Sequence, residues 1–288
     1  MKVTMADLPG NFPWRVFWLL FIAGIFGALA SLPILSELFW SNPEVRKAMP
    51  PLPLPVLECL VVAQFAVYLA IIVPVGLLLA RRFGFKLPLV TAWASGERPV
   101  AVGKVFVAGM LSGVAVGALI VALEAVVFLP HLPPPLLALD AGSIPLWKRL
   151  LAGIFYGGIV EELFFRLFLI TVFVWLLSFV LRSPGRPPSA ATFWIANVLS
   201  SLLFALGHLP ATSALAPLTV ALVVRALVLN GALGLTCGYL FWRRGLEAAI
   251  FAHMGFHLVW QVPGAIVRRS IFRDKVLIPT NRNPLPPM

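Results

Sequence analysis

The chain has 288 residues, 60% hydrophobic and 11% charged, with 22 Lys and Arg against 11 Asp and Glu for a formal net charge of +11; its mean hydropathy is +0.98. A soluble globular domain carries about a quarter charged residues, so the composition excludes one and describes an integral membrane protein. The basic excess does not imply a nucleic-acid partner, because it falls in short segments between apolar runs, as Arg81, Arg82 and Lys86, Arg182 and Arg186, and Arg243 and Arg244, where it serves topology and contact with anionic lipid.

In chain order, seven runs are long enough to cross about 30 Å of hydrocarbon as helices: Val16–Leu35, Val56–Ala80, Val105–Leu129, Leu150–Val180, Ala191–Leu209, Leu218–Trp242 and Leu246–Val267. The expected fold is all-α, a polytopic transmembrane helical bundle occupying residues 1–267, with a basic, proline-rich C-terminal tail over 268–288. The first run lacks a small-residue cleavage site and is followed by further spans, so it is expected to be a membrane anchor rather than a removable leader. Met49–Pro55, Pro130–Pro135 and Ser183–Ser189 are proline-rich, and missing amide hydrogens with fixed φ end helices there. The fourth run, at 31 residues, exceeds one perpendicular crossing and must tilt, protrude or break.

Lys and Arg number nine in the second, fourth and sixth loops against four in the first and third, which puts the N-terminus in the cytoplasm. Arg268, Arg269, Arg273, Lys275 and Arg282 of the tail would then lie outside after seven crossings, and an eighth would reconcile the two signals. Glycines four apart, at Gly109, Gly113 and Gly117, at Gly153 and Gly157, and at Gly234 and Gly238, read as seams where helix backbones approach closely. Cys59 and Cys237 sit in apolar runs without metal or redox spacing and read as inert packing.

Against this background stand Glu58, Glu124, Glu161, Glu162, Arg166, His208, Arg225, His253 and His257, all inside predicted spans. A charge at mid-membrane costs roughly 2.5 to 3.5 kcal/mol even on the lenient insertion scale, so each needs a partner or a purpose. Glu162 and Arg166 lie four residues apart on one helical face and read as a neutralising pair; Glu124 with Arg225 is a second candidate. Glu161 has no local cation, and its partners must come from other helices. His253 and His257 share a face, and grouped with Glu161 and His208 they suit acid–base chemistry or metal ligation. The residues alone leave three readings open: a water-activating catalytic site, an ion or proton pathway, and a structural polar core.

"EELFFR" (Glu161–Arg166), "FALGH" (Phe204–His208) and "HMGFH" (His253–His257) resemble, in order, the motifs of the type II CAAX prenyl endopeptidase family, also called the CPBP or Abi family of intramembrane proteases. The resemblance covers about residues 150–267. It implies that Glu161 is general base on a water, assisted by His208; that Glu162 and Arg166 form the orienting pair; that His253 donates to the oxyanion; and that Phe204 supports His208. His257 stands where the family usually has asparagine. That departure opens an alternative in which Glu161, His208, His253 and His257 hold zinc, although "HMGFH" lacks the glutamate that would make it a zincin helix; a metal-free glutamate mechanism is preferred. The resemblance further implies a membrane-associated or lipidated peptide as substrate, membrane lipid as partner, and a prokaryotic-type plasma membrane as location. The rival readings are a proton-coupled transporter or channel through Glu161, His208 and His253, and a non-proteolytic scaffold or immunity protein. One difficulty follows from the predicted spans: a rise of about 1.5 Å per residue leaves His208 near one face and His253 nearer the other, so a broken or displaced fifth helix is required.

Overall fold

The computed structural model describes residues 12–41, 47, 50–99, 102–132, 136, 144–181 and 188–277. Seven helical stretches among them are long and apolar enough to cross a membrane: Trp14–Glu37, Leu54–Phe83, Val102–His131, Leu146–Val180, Ala190–Ser213, Val220–Arg244 and Leu246–Ile271. They coincide with the seven predicted runs, with most ends extended by about a turn or less and the sixth shifted by two residues. No strand occurs among the described residues. The expected all-α polytopic bundle is the fold, and the protein is an integral, multi-pass membrane protein.

The helices are α1 (Trp14–Ser41), α2 (Leu54–Phe83), the short α3 (Pro88–Ala94), α4 (Val102–Leu123), α5 (Leu146–Val180), α6 (Ala190–Leu206), α7 (Val220–Arg244), α8 (Leu246–Gln261) and α9 (Pro263–Leu277). Their outer faces carry large exposed apolar side chains, among them Ile22, Val67, Leu111, Phe179 and Val220, as lipid rather than water requires. Local chemistry sets the ends. Ser189 Oγ accepts from Thr192 N–H at 3.1 Å to open α6, and Thr219 Oγ1 accepts from Leu222 N–H at 3.3 Å to open α7, satisfying amides that a helix start leaves orphaned. Gly245, at φ 104°, lets α7 turn directly into α8. Glu247 then caps α3: its Oε1 accepts from the Leu89 and Val90 N–H groups at 2.8 and 2.9 Å.

Two of the three glycine seams are packing devices, as predicted. A methyl added at Gly109 would lie 2.6 Å from the Ala248 carbonyl oxygen, and one at Gly113 would collide with the Ala252 carbonyl, so α4 and α8 touch backbone to backbone. Gly234 faces Ser201, and Gly238 faces Asn197, whose Nδ2 donates to the Leu235 carbonyl at 3.1 Å.

The long fourth run neither breaks nor stays α-helical. It widens to π-helix over Ala152–Glu161 and Leu163–Ile170, with i→i+5 backbone bonds of the kind that concentrate at functional sites. The wider winding rises less per residue, which shortens a 35-residue span. Helix α6 does break: after Leu206 the chain turns through Gly207 and His208 and resumes helix over Leu209–Ser213. The predicted boundary at Val267 falls inside α9, where Arg268 is buried, with its guanidinium 4.1 Å over the Trp260 ring. The stretch Ile278–Met288 of the predicted tail lies outside the described residues.

Candidate active site

Three helices bring the unexpected polar residues together. Helix α5 carries Glu161, Glu162 and Arg166, the break after α6 carries His208, and α8 carries His253 and His257. The depth difficulty does not hold in the structure, since His208, at the break, lines the same cavity as His253.

Glu162 is the hub. Its side chain is fully buried, and its Oε1 accepts from His253 Nδ1 at 2.6 Å. Arg166 Nη1 lies 3.0 Å from the same oxygen as an ion pair without hydrogen-bond alignment. Arg166 Nη2 donates to the Gly234 carbonyl at 3.1 Å, and the guanidinium sits 4.9 Å over the Phe204 ring. The predicted Glu162–Arg166 pair is therefore present, tied to α6, α7 and α8 as well. A carboxylate accepts only, so the 2.6 Å contact puts a proton on His253 Nδ1 and turns Nε2 toward Glu161, whose Oε2 is 3.5 Å away. Glu161 retains 17% side-chain exposure, against none for Glu162.

His208 Nδ1 lies 2.8 Å from the Phe204 carbonyl oxygen. A carbonyl cannot donate, so Nδ1 carries the proton and a neutral His208 keeps its lone pair on Nε2. The Phe204 ring meets His208 edge-on at 4.8 Å and His253 at 5.9 Å, which matches the supporting position the motif implied. The His257 ring stacks on His253 at 5.1 Å with the planes 8° apart.

Glu161, His208, His253 and His257 all line one cavity of about 360 Å³, together with Tyr156, Arg149, Arg225, Asn230 and Gln261. The two other acids of the predicted polar set have partners. Arg225 binds Glu124 through Nε and Nη2 with contacts of 2.7 to 3.0 Å, as anticipated, and Glu58 accepts from Ser36 Oγ at 2.5 Å.

Gly153 and Gly157 depart from the packing-seam reading. A methyl at Gly157 would lie 2.8 Å from His257 Nε2 and 3.0 Å from His253 Nε2, and one at Gly153 would collide with the His257 ring. These glycines make room for the stacked imidazoles. Their spacing, one and two turns before Glu161, was visible, but the same spacing marks ordinary seams elsewhere in the chain.

The predicted zinc set, Glu161, His208, His253 and His257, lines the cavity, and a different group has its ligand atoms closest together. Among the described residues, the group whose ligand atoms all come within 4.8 Å is Glu162, Cys237 and His253, not Glu161, His208, His253 and His257. In that group Glu162 is already bonded to His253 and paired with Arg166, and a guanidinium beside the carboxylate opposes a second cation.

Residues 143–259 match the family model described as Type II CAAX prenyl endopeptidase Rce1-like. This region is similar to that family. No curated protein and no solved structure matches the chain. The matched region contains every motif residue, from Glu161 to His257, and begins seven positions before the predicted Leu150. The match supports an intramembrane CAAX-type protease in general terms.

Proposed function

We propose that the protein is an intramembrane endopeptidase that hydrolyses a peptide bond at or within the membrane, in CAAX-type processing of a prenylated or otherwise membrane-bound peptide. The observation that carries this reading is one cavity lined by a partly exposed carboxylate, Glu161, and by His208 and His253, with the Glu162–Arg166 pair buried behind them.

Glu161 takes a proton from a water, and the hydroxide attacks the scissile carbonyl carbon. The lone pair on His208 Nε2 accepts a hydrogen bond from that water and orients it. The oxyanion forms beside His253. With Nδ1–H committed to Glu162, His253 donates through Nε2 when it carries a second proton, and the Glu162 carboxylate is the counter-charge for that state. Preorganised donors of this kind in a dry site stabilise a transition state by several kcal/mol. Collapse of the tetrahedral intermediate breaks the C–N bond as Glu161 returns its proton to the leaving amine. Glu162 and Arg166 hold the His253 ring in place, and His257 stacks on its face. The reaction is metal-free, since Arg166 already serves as the cation at Glu162. On the excess of Lys and Arg in the even-numbered loops, the N-terminus is read as cytoplasmic.

The test uses purified protein in detergent with prenylated and unprenylated CAAX peptides, with and without chelator. Wild type is expected to cleave in the presence of chelator, and Glu161→Gln to fold but not turn over. Wild-type cleavage by Glu161→Gln sinks Glu161 as base. Absence of any cleavage, with pH-driven flux in liposomes, favours the transporter reading.

A further inference from the structure

Several donors in the cavity wall are already committed. His208 Nδ1–H is bound to the Phe204 carbonyl and His253 Nδ1–H to Glu162. Thr212 Oγ1 donates to the His208 carbonyl at 3.1 Å, Asn230 Nδ2 to the Ala226 carbonyl at 3.1 Å, and Arg225 is bound to Glu124. In their neutral states His208 and His253 keep lone pairs on Nε2. A developing oxyanion needs the opposite, a donor. Tyr156 carries one. It lines the same cavity, and its hydroxyl makes no hydrogen bond among the described residues, whereas a tyrosine hydroxyl packed into a protein ordinarily finds a partner. A phenol also keeps its proton at neutral pH.

The winding of α5 gives that hydroxyl its direction. Tyr156 and Glu161 are five residues apart in the π-helical stretch Ala152–Glu161. In an α-helix five positions would turn them about 140° apart, but a helix whose backbone bonds run between residues five apart sets them one turn apart on nearly the same face. The phenol is within electrostatic reach of the Glu161 carboxylate. Gly157, the next residue, faces the imidazoles of His253 and His257, so phenol and imidazoles approach Glu161 from neighbouring directions. The Phe65 ring of α2 meets the Tyr156 ring edge-on at 5.4 Å and holds it from the other helix.

We propose that Tyr156 is a further catalytic residue, whose O–H donates to the oxyanion of the tetrahedral intermediate beside His253, and that the π winding of α5 is what brings it onto the face of Glu161. The proposal rests on the protease reading above and adds a donor that does not depend on a second proton at His253. Tyr156 transfers no proton. As the water attacks, its proton goes to Glu161, the new C–O bond forms, and the carbonyl π pair moves onto the oxygen that accepts from the phenol. On collapse that pair re-forms the carbonyl and the C–N bond breaks.

The test uses the full chain in zwitterionic-lipid nanodiscs with a prenylated CAAX peptide. Tyr156→Phe keeps the ring against Phe65 and removes only the hydroxyl. It is expected to lower kcat by about 10²- to 10³-fold, the usual cost of one oxyanion donor, with KM and thermal unfolding unchanged. Phe65→Leu loosens the packing but keeps the hydroxyl, and should lower kcat less than Tyr156→Phe. A second measurement replaces the scissile amide with a tetrahedral phosphinate. Tyr156→Phe should bind it more weakly than wild type by a factor similar to its kcat loss, while uncleaved peptide binds equally to Glu161→Gln with or without Tyr156→Phe. Near-wild-type kcat in Tyr156→Phe, a loss confined to KM, a larger loss in Phe65→Leu, or unchanged phosphinate affinity overturns the proposal and leaves the protease reading standing. No cleavage of any peptide by wild type removes both.

Discussion

Replacing Gly157 by alanine adds one methyl group, and the structure says where it goes. The new Cβ would stand 2.8 Å from His257 Nε2 and 3.0 Å from His253 Nε2, whereas non-bonded heavy atoms settle at about 3.5 to 4.0 Å. One or both rings must move by roughly half an ångström or more. The His253 ring has little freedom to do so, since its Nδ1 is held 2.6 Å from Glu162 and the His257 ring covers its face at 5.1 Å. The stability cost is modest: overpacking takes about 1 to 3 kcal/mol, and alanine returns up to about 1 kcal/mol over glycine in a helix. Catalysis is far more sensitive, because displacing a reacting group by about 1 Å can cost 10²-fold. The expectation is therefore a folded protein whose kcat/KM on a cleavable peptide falls by about 10²-fold, with its thermal unfolding little changed. Gly158→Ala is the control. Its methyl would meet Met254 Cγ at 2.7 Å, but methionine is flexible and can swing aside, and Gly158 is not part of the cavity wall. Near-wild-type turnover by Gly157→Ala, or an equal loss in Gly158→Ala, refutes the reasoning that these glycines exist to seat the imidazoles.

Arg166→Met is expected to strand Glu162 in a fully buried position and lower stability by about 3 to 5 kcal/mol, read by unfolding in detergent; adding Glu162→Gln should recover part of that loss, and additive effects would deny the pair. Glu247→Ala removes the acceptor for the Leu89 and Val90 amides and is expected to cost about 0.5 to 2 kcal/mol, the usual worth of a helix cap. Glu247→Gln keeps an acceptor oxygen and should cost less, and a larger loss from the glutamine than the alanine would exclude the cap.

The spans were readable because hydrocarbon thickness sets a length and every residue in lipid must be compatible with it; proline-rich connectors such as Ser183–Ser189 then marked the ends. The site residues were readable for the opposite reason, since a charge in lipid is expensive enough to be noticed one residue at a time. What the sequence withheld depends on which helix faces which. The spacing of Gly153 and Gly157 is that of Gly109 and Gly113, and only the neighbour, an imidazole in one case and the Ala252 carbonyl in the other, separates a ring seat from a seam. The π winding of α5 was not readable either, because the choice between i→i+4 and i→i+5 bonds is decided by packing around the helix rather than by residue type.

The paired glutamates illustrate the same division. Adjacent residues on one helix point in different directions, so a single "EE" can supply two carboxylates to two environments. Glu162 turns into the bundle, where Arg166 and His253 consume its charge and its acceptor capacity, and Glu161 turns toward the cavity with 17% of its surface open. A lone glutamate could be held rigidly or left available to a proton, but not both. Two in succession separate those tasks: the first is available because the second has fixed the imidazole that faces it.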